Sequence, residues 1–217
     1  MIKLRLHQQE VLDVIKLQSK GQIIVPTGGG KTICMIEDAK RQLRSTVIPT
    51  QRKLIQQVIV VVAPRILLAE QLSADFLEHI TNVNVVHVHS GETHHLSTTK
   101  PEVIKNYIKG RGHTLIFTTY HSLHKIQESK IAIDTLYFDE AHNSVQKNFQ
   151  PPAKYYSTKT NSRCFFFTAT PKHCLSDDRI GMETEEVYGK VLCDIPAPDL
   201  VQQGHILPPK VVIKKIQ

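Results

Sequence analysis

Short apolar runs alternate with longer stretches of helical periodicity along most of this chain. Gln22 to Val25, Gln57 to Ala63, Val83 to Val88, Thr114 to Thr118, Thr135 to Asp139 and Arg163 to Thr168 read as strands. Helical patterns lie between them, near Thr32 to Arg44, Ile66 to Ile80 and Pro101 to Lys109, with a short helix near Ser122. Strands this apolar must be covered on both faces, so the pattern predicts an α/β fold: a mostly parallel sheet with helices on both faces. Ser45 to Gln56 is polar and is expected to form a loop or an extension of the first helix. The chain has no repeat and no low-complexity segment.

Size and charge narrow the picture. With 217 residues and 41% hydrophobic content, the chain suits one large core rather than two. A net charge of +7, with twelve His in reserve, favours a polyanionic partner. Met1 to Arg5 leads straight into polar residues and no apolar run reaches the roughly 18 residues of a membrane span, so a soluble, intracellular protein is expected. Cys34, Cys164, Cys174 and Cys193 form no C-x-x-C pair, which argues against a zinc ribbon and fits reduced thiols. His87, His89, His94 and His95 form a grouping of metal-ligand type, but the first two alternate along a strand-like run. A pH-dependent positive patch, or surface histidines without special task, are the alternatives to metal.

Four short strings carry the candidate chemistry. In VPTGGGKT, Val25 to Thr32, the residues Thr27, Gly28, Gly29, Gly30, Lys31 and Thr32 follow a strand and precede a helix. Unhindered backbone N–H groups there can wrap phosphate oxygens while the Lys31 ammonium neutralises the terminal phosphate. Val25 stands where the general phosphate-loop pattern has its first glycine. FDEAH, Phe138 to His142, brings Asp139 and Glu140 to a strand's C-terminal end, where ligands of open α/β sheets collect. Magnesium is held by few carboxylates together with substrate phosphates, so Asp139 and the Thr32 hydroxyl are expected to share it. Glu140 is the candidate base for an attacking water. The other two strings are VAPRILLAEQ, from Val62, and FTATP, from Phe167.

In this order the four strings resemble the N-terminal RecA-like lobe of superfamily 2 helicases. The likeness is to the DEAD/DEAH-box-like branch that includes restriction-enzyme motor subunits, and it spans about residues 3 to 210. The Pro26-Thr27-Gly28 turn resembles that family's form of the phosphate loop, in place of the missing first glycine. The resemblance implies a P-loop NTPase using ATP and Mg²⁺. It implies adenine recognition by Gln8, with Arg5 beside it. Nucleic-acid contacts fall at Pro64 and Arg65, at Ser90 and Gly91, and at Thr118, Thr119 and Tyr120, the last able either to stack on a base or to pack. His142, Thr168 and Thr170 are implied to couple nucleotide state to grip. The expected division is a lobe over 1–186 and a linker over 187–217, leading toward a second lobe that would supply arginine fingers. Val211 to Ile213 is expected to begin that lobe's first strand.

The function implied is an ATP-dependent helicase or translocase on nucleic acid, DNA favoured over RNA. A lone lobe binding nucleotide or nucleic acid without turnover is the alternative. A different P-loop enzyme, such as a small-molecule kinase, would leave Ala63-Pro64-Arg65 and Thr168-Ala169-Thr170 without a task.

Overall fold

Val58–Ala63 is apolar at every position and buried at every position, a strand that can exist only inside a sheet covered on both sides. The computed structural model describes residues 3–44, 56–174 and 180–208 and builds such a sheet. Eight strands run parallel: β1 (Lys20–Ile24), β2 (Val58–Ala63), β3 (Asn84–Val88), β4 (Leu96–Ser97), β5 (Thr114–Thr119), β6 (Thr135–Phe138), β7 (Arg163–Thr168) and β8 (Val191–Asp194). Their spatial order is β4-β3-β5-β2-β6-β7-β1-β8. The helices are α1 (Leu6–Lys16), α2 (Lys31–Arg44), α3 (Ile66–His79), α4 (Pro101–Ile108), α5 (Leu123–Ser129), α6 (Gln150–Lys159), α7 (Glu185–Tyr188) and α8 (Ala197–Gln202).

Alternate side chains of each strand enter two cores. Ile59, Val61, Phe117, Tyr137, Phe165 and Phe167 meet Val11, Ile15, Met35, Ile36 and Phe76 of α1, α2 and α3. Val60, Val62, Ile116, Leu136, Phe138 and Phe166 meet Ile104, Ile126, Tyr156 and Tyr188 of α4, α5, α6 and α7 on the other side. The expected doubly covered parallel sheet is therefore present, in the α/β class.

The sheet continues past the boundary expected at residue 186. Strand β8 pairs with β1 through Gln22, Ile23 and Ile24 against Val191, Cys193 and Asp194. Gln22, a polar residue inside the sheet, donates through Nε2 to the carbonyls of Met182 at 2.8 Å and Gly189 at 2.9 Å. Gly189 (φ +70°) lies so close to Gly21 that a Cβ on it would stand 2.9 Å from the Gly21 Cα. Val191–Asp194, inside the segment expected to be linker, is thus a strand of this sheet. Helix α6 also escaped the sequence pattern, because Pro151 and Pro152 resemble a loop; they occupy its first turn, where a missing N–H costs nothing. The expected strand at Val211 to Ile213, and Ser45 to Ile55 of the expected loop, lie outside the described residues.

One buried charge ties the helices to the sheet beneath. Asp38 on α2 has no exposed surface. Its carboxylate accepts from Tyr137 Oη of β6 at 2.6 Å and from Arg163 Nη1 of β7 at 3.0 Å, and it also pairs with Arg41. Arg163 donates in addition to the Ile15 carbonyl of α1 at 3.0 Å. Removing the carboxylate strands a guanidinium in the interior. Asp38→Ala is expected to cost about 3–5 kcal/mol of stability, measured by denaturant unfolding.

Candidate nucleotide and nucleic-acid site

Because every strand points the same way, the loops that follow them emerge at one edge. The strand order sorts the sequence-predicted residues into two neighbouring halves. Ser90 and Gly91 follow β3, Thr118 to Tyr120 end β5, and Pro64 and Arg65 follow β2, on three adjacent strands. Asp139 and Glu140 follow β6, Thr168 and Thr170 end β7, and the glycine loop follows β1, on the next three.

The glycine loop turns through two left-handed glycines, Gly28 (φ +79°) and Gly30 (φ +87°), a conformation that strains any residue with a Cβ. Between them, a Cβ on Gly29 would collide with Val25 Cγ1 and the Pro26 carbonyl. Gly29 N–H is used by that carbonyl at 2.9 Å, and Ile33 and Cys34 N–H donate to the Gly30 carbonyl, whereas the Lys31 and Thr32 N–H groups that open α2 have no backbone acceptor among the described residues. That donor set fits a polyphosphate.

Lys31 is nearly buried; its Nζ lies 3.2 Å from Glu140 Oε1 and 3.4 Å from the Val25 carbonyl. The Glu140 backbone is left-handed (φ 47°, ψ 53°), uncommon for a residue with a side chain. Asn143 holds it there, donating to the Glu140 carbonyl from Nδ2 at 2.9 Å and from its backbone N–H at 3.0 Å. Sequence reasoning missed Asn143, which carries no signal beyond its nearness to the acidic pair.

Burial, then the neighbouring Glu140 carboxylate, push the Asp139 pKa up to about 6, against the opposing pull of Lys31. A carboxylate desolvated beside another carboxylate, with a Thr32 hydroxyl at the start of α2, is a donor set suited to magnesium. His142 joins this centre to β7: its Nδ1 is 3.0 Å from Thr168 Oγ1 and 3.5 Å from Glu140 Oε2. Thr168 Oγ1 in turn accepts from the Thr170 backbone N–H at 3.2 Å. The predicted coupling residues therefore touch.

Gln8 is buried under the glycine loop; its Oε1 accepts from the Arg5 N–H at 2.9 Å and its Nε2 lies 3.5 Å from the Gly29 carbonyl. Its neighbour His7, not singled out from sequence, donates from Nε2 to the same carbonyl at 2.7 Å. Arg5 Nη1 and His7 Nδ1 are buried without a partner among the described residues, so this corner has unsatisfied hydrogen-bonding capacity. Leu200 and Ile206, from the segment read as linker, approach Gly29 and Gly28.

In the other half the sequence expectations need correction. Tyr120 is buried, its Oη donates to the Asp139 carbonyl at 2.8 Å, and its ring packs near Phe138 and Phe149, so packing displaces base stacking. Thr118 and Thr119 are buried too, with Thr118 Oγ1 donating to the Val88 carbonyl at 2.8 Å; the exposed residue after this strand is His121. Gly91 N–H is taken by His89 Nδ1 at 3.1 Å. Arg65 and Ser90 are exposed, and Pro64 half-buried beside them. Among the described residues no group of three or more His, Cys, Asp or Glu is arranged to hold a metal, the four histidines included, and His87 and His89 are buried rather than at the surface. Cys34, Cys164 and Cys193 are buried free thiols.

An eight-stranded parallel lobe with this edge has the RecA-like fold of helicase motor lobes. It aligns with the Type ISP restriction-modification enzyme LlaGI, solved with a DNA substrate mimic, at a TM-score of 0.74 and 20% identity over 94% of this chain and 21% of that one. The Hef helicase domain of Pyrococcus furiosus gives a TM-score of 0.67 at 19% identity over 92% of this chain and 40% of that one. The UvsW helicase of Bacteriophage T4 gives 0.59 at 13% identity, over 88% and 60% respectively. Each of these proteins is longer than the chain described here. No curated protein matches the chain by sequence. Residues 1–173 match the family described as Type III restriction enzyme, res subunit, and the chain belongs to that family.

The raised Asp139 pKa has a measurable consequence. An acid whose pKa is higher folded than unfolded loses stability as pH rises from about 4 through about 6. In the absence of nucleotide and metal, Asp139→Asn should therefore be more stable than the parent at pH 7.5, by about 1–3 kcal/mol, with the difference shrinking toward pH 4. Parallel denaturation curves at the two pH values check this.

Proposed function

We propose that this lobe binds Mg-ATP on the β1 and β6 loops and hydrolyses it to drive movement on nucleic acid, DNA in preference to RNA. The observation that carries the reading is the run of contacts from Lys31 through Glu140 and His142 to Thr168. A phosphate-binding cation, a candidate base and a coupling hydroxyl thus lie along one chain of neighbours.

The glycine-loop N–H groups and Lys31 bind the phosphates, and Gln8 and Arg5 face the base. Asp139 and Thr32 would hold magnesium, which would supply positive charge to offset that on the transferring group. Lys31 has to divide its ammonium between Glu140 and phosphate. When phosphate takes the larger share, Glu140 is released to orient water and accept its proton. His142 reports that change to Thr168 and Thr170, at the end of β7. Arg65 and Ser90 contribute sequence-independent phosphate contacts on the adjoining half. A second lobe supplying an arginine finger, expected from the helicase resemblance, would complete the site. DNA is favoured because the restriction enzymes LlaGI and LlaBIII, of like fold, were solved with DNA.

The reading is tested on the complete protein by ATP turnover with double-stranded DNA, single-stranded DNA and RNA compared. Stimulation by DNA is expected, and turnover indifferent to all three would remove the motor role. Glu140→Gln is expected to keep Mg-ATP bound while lowering turnover about 10²–10⁴-fold, since the amide preserves shape but cannot take a proton. Lys31→Ala should lose nucleotide binding itself, read by a fluorescent ATP analogue; unchanged affinity would sink the assignment.

A further inference from the structure

Behind the exposed Ser90 runs a line of buried polar groups that the nucleotide chemistry does not use. Gly91 N–H lies 3.1 Å from His89 Nδ1; His89 Nε2 lies 3.1 Å from His87 Nδ1; His87 Nε2 lies 3.1 Å from Ser73 Oγ on α3. Its direction is fixed by chemistry. A backbone N–H only donates, so His89 Nδ1 is the acceptor and carries no proton. A neutral His89 must then carry its proton on Nε2 and donate to His87 Nδ1, which leaves His87 Nε2–H to donate to Ser73. Every nitrogen is used once, and both rings must be neutral.

At its loop end the line meets a second hold on Gly91. Ser97 Oγ of β4 donates to the Gly91 carbonyl at 2.5 Å, so both polar atoms of Gly91 are held by side chains. A Cβ on Gly91 would strike Ile66 Cγ2 at 2.7 Å, in the first turn of α3, beside Arg65. The loop bearing Ser90 is thereby locked against the helix start bearing Arg65.

We infer that His87 and His89 are positioning residues for nucleic-acid binding: through Gly91 they hold the Ser90 loop against the Arg65 turn, in the geometry a phosphate backbone needs. The inference rests on the nucleic-acid role proposed above. Burial lowers both imidazole pKa values, that of His87 to about 4, which keeps the line intact near neutral pH. The groups facing it are His95, whose ring stacks on His87 at 5.8 Å, Glu70 of α3, whose charge opposes the shift at His89, and Phe117 of β5. Glu92 and His94 line the adjoining cavity.

The sign of the pH effect separates this role from plain electrostatics. Acidification adds positive charge to histidines, which by itself tightens binding to a polyanion. Protonating His89 on Nδ1 instead expels Gly91 N–H, and protonating His87 on Nδ1 sets two donors face to face, so the loop is released and binding weakens. These rings take up protons below pH 6.5, lower than in the unfolded chain, so the line is whole above that pH and fails as pH falls.

The test measures anisotropy of a labelled mixed-sequence single-stranded DNA on the complete protein at fixed ionic strength, from pH 7.5 to 5, with the fold followed by circular dichroism. At pH 7.5 His89→Phe, which keeps the ring bulk but loses the acceptor, is expected to bind about tenfold more weakly. His89→Asn, whose Oδ1 can take the place of Nδ1, should recover most of that loss. A fluorescent ATP analogue should bind both variants like the parent. The parent should weaken toward the acid end of this range through His89, since His87 takes up its proton only near pH 4, while His89→Asn does not weaken. Equal affinity of parent and His89→Phe, or a parent that only tightens on acidification, overturns the inference and leaves the motor reading standing. Should His89→Phe not fold, Ser73→Ala and the parent's pH profile decide: a weakened Ser73→Ala and an acid-weakened parent support the positioning role, and parent-like binding with tightening sinks it. A parent that binds no DNA at any pH removes the nucleic-acid proposal itself.

Discussion

Parallel strand direction is the constraint on which the rest depends. Once β1, β2, β3, β5, β6 and β7 point the same way, every loop after a strand falls on one edge and every loop before a strand on the other. The connecting helices then cover both faces, which is why Val58 to Ala63 can be apolar throughout and still be fully buried. Strand order then decides which loops are neighbours. The β1, β7 and β6 ends adjoin one another and carry the nucleotide candidates, while β2, β5 and β3 continue the edge with the exposed Arg65 and Ser90. The two proposed kinds of binding share one rim because the loops that follow the parallel strands all emerge there.

That edge is locally unfavourable, and the structure beneath it offsets the cost. Asp139 is desolvated beside a second carboxylate, and Glu140 holds a left-handed backbone, a conformation that costs about 1 kcal/mol or more for a residue with a side chain. Directly below, Asp38 draws together Tyr137 of β6 and Arg163 of β7, and Arg163 reaches the end of α1. Buried charges of this kind are weak as net stabilisers but strict about arrangement. Here the arrangement they enforce is the relative seating of α1, α2, β6 and β7, the elements that carry Gln8, Lys31, Asp139 and Thr168.

The histidine line beside Ser90 shows the same economy by other means. Four groups from β3, α3 and the loop after β3 hydrogen-bond to one another without a charge, and the result is a fixed loop at an exposed rim. In sequence these residues read as a loose cluster of metal-ligand type. The ring nitrogens were already committed to each other, which only their spatial arrangement reveals.

The sequence by itself determined the class of fold and singled out the candidate nucleotide residues. Burial on both faces leaves long apolar runs at strand positions, and a phosphate cradle needs glycine where φ is positive and lysine where charge is needed, so Gly28, Gly30 and Lys31 are legible without coordinates. Local patterns could not report what depends on contacts between distant segments. Strand β8 is short and only partly apolar because it lies at the sheet's edge, so nothing in its pattern revealed that Val191–Asp194 joins the sheet. Thr118, Thr119 and Tyr120 look like surface contacts by residue type, yet they are buried, with β3 and β2 on either side of β5 and Phe138 and Phe149 beside the Tyr120 ring. Asp38 reads as an ordinary helix acid until β6 and β7 bring Tyr137 and Arg163 beneath it. A residue's own chemistry is written in the chain; whether that chemistry faces solvent, a ligand or another side chain is set by packing between segments far apart in sequence.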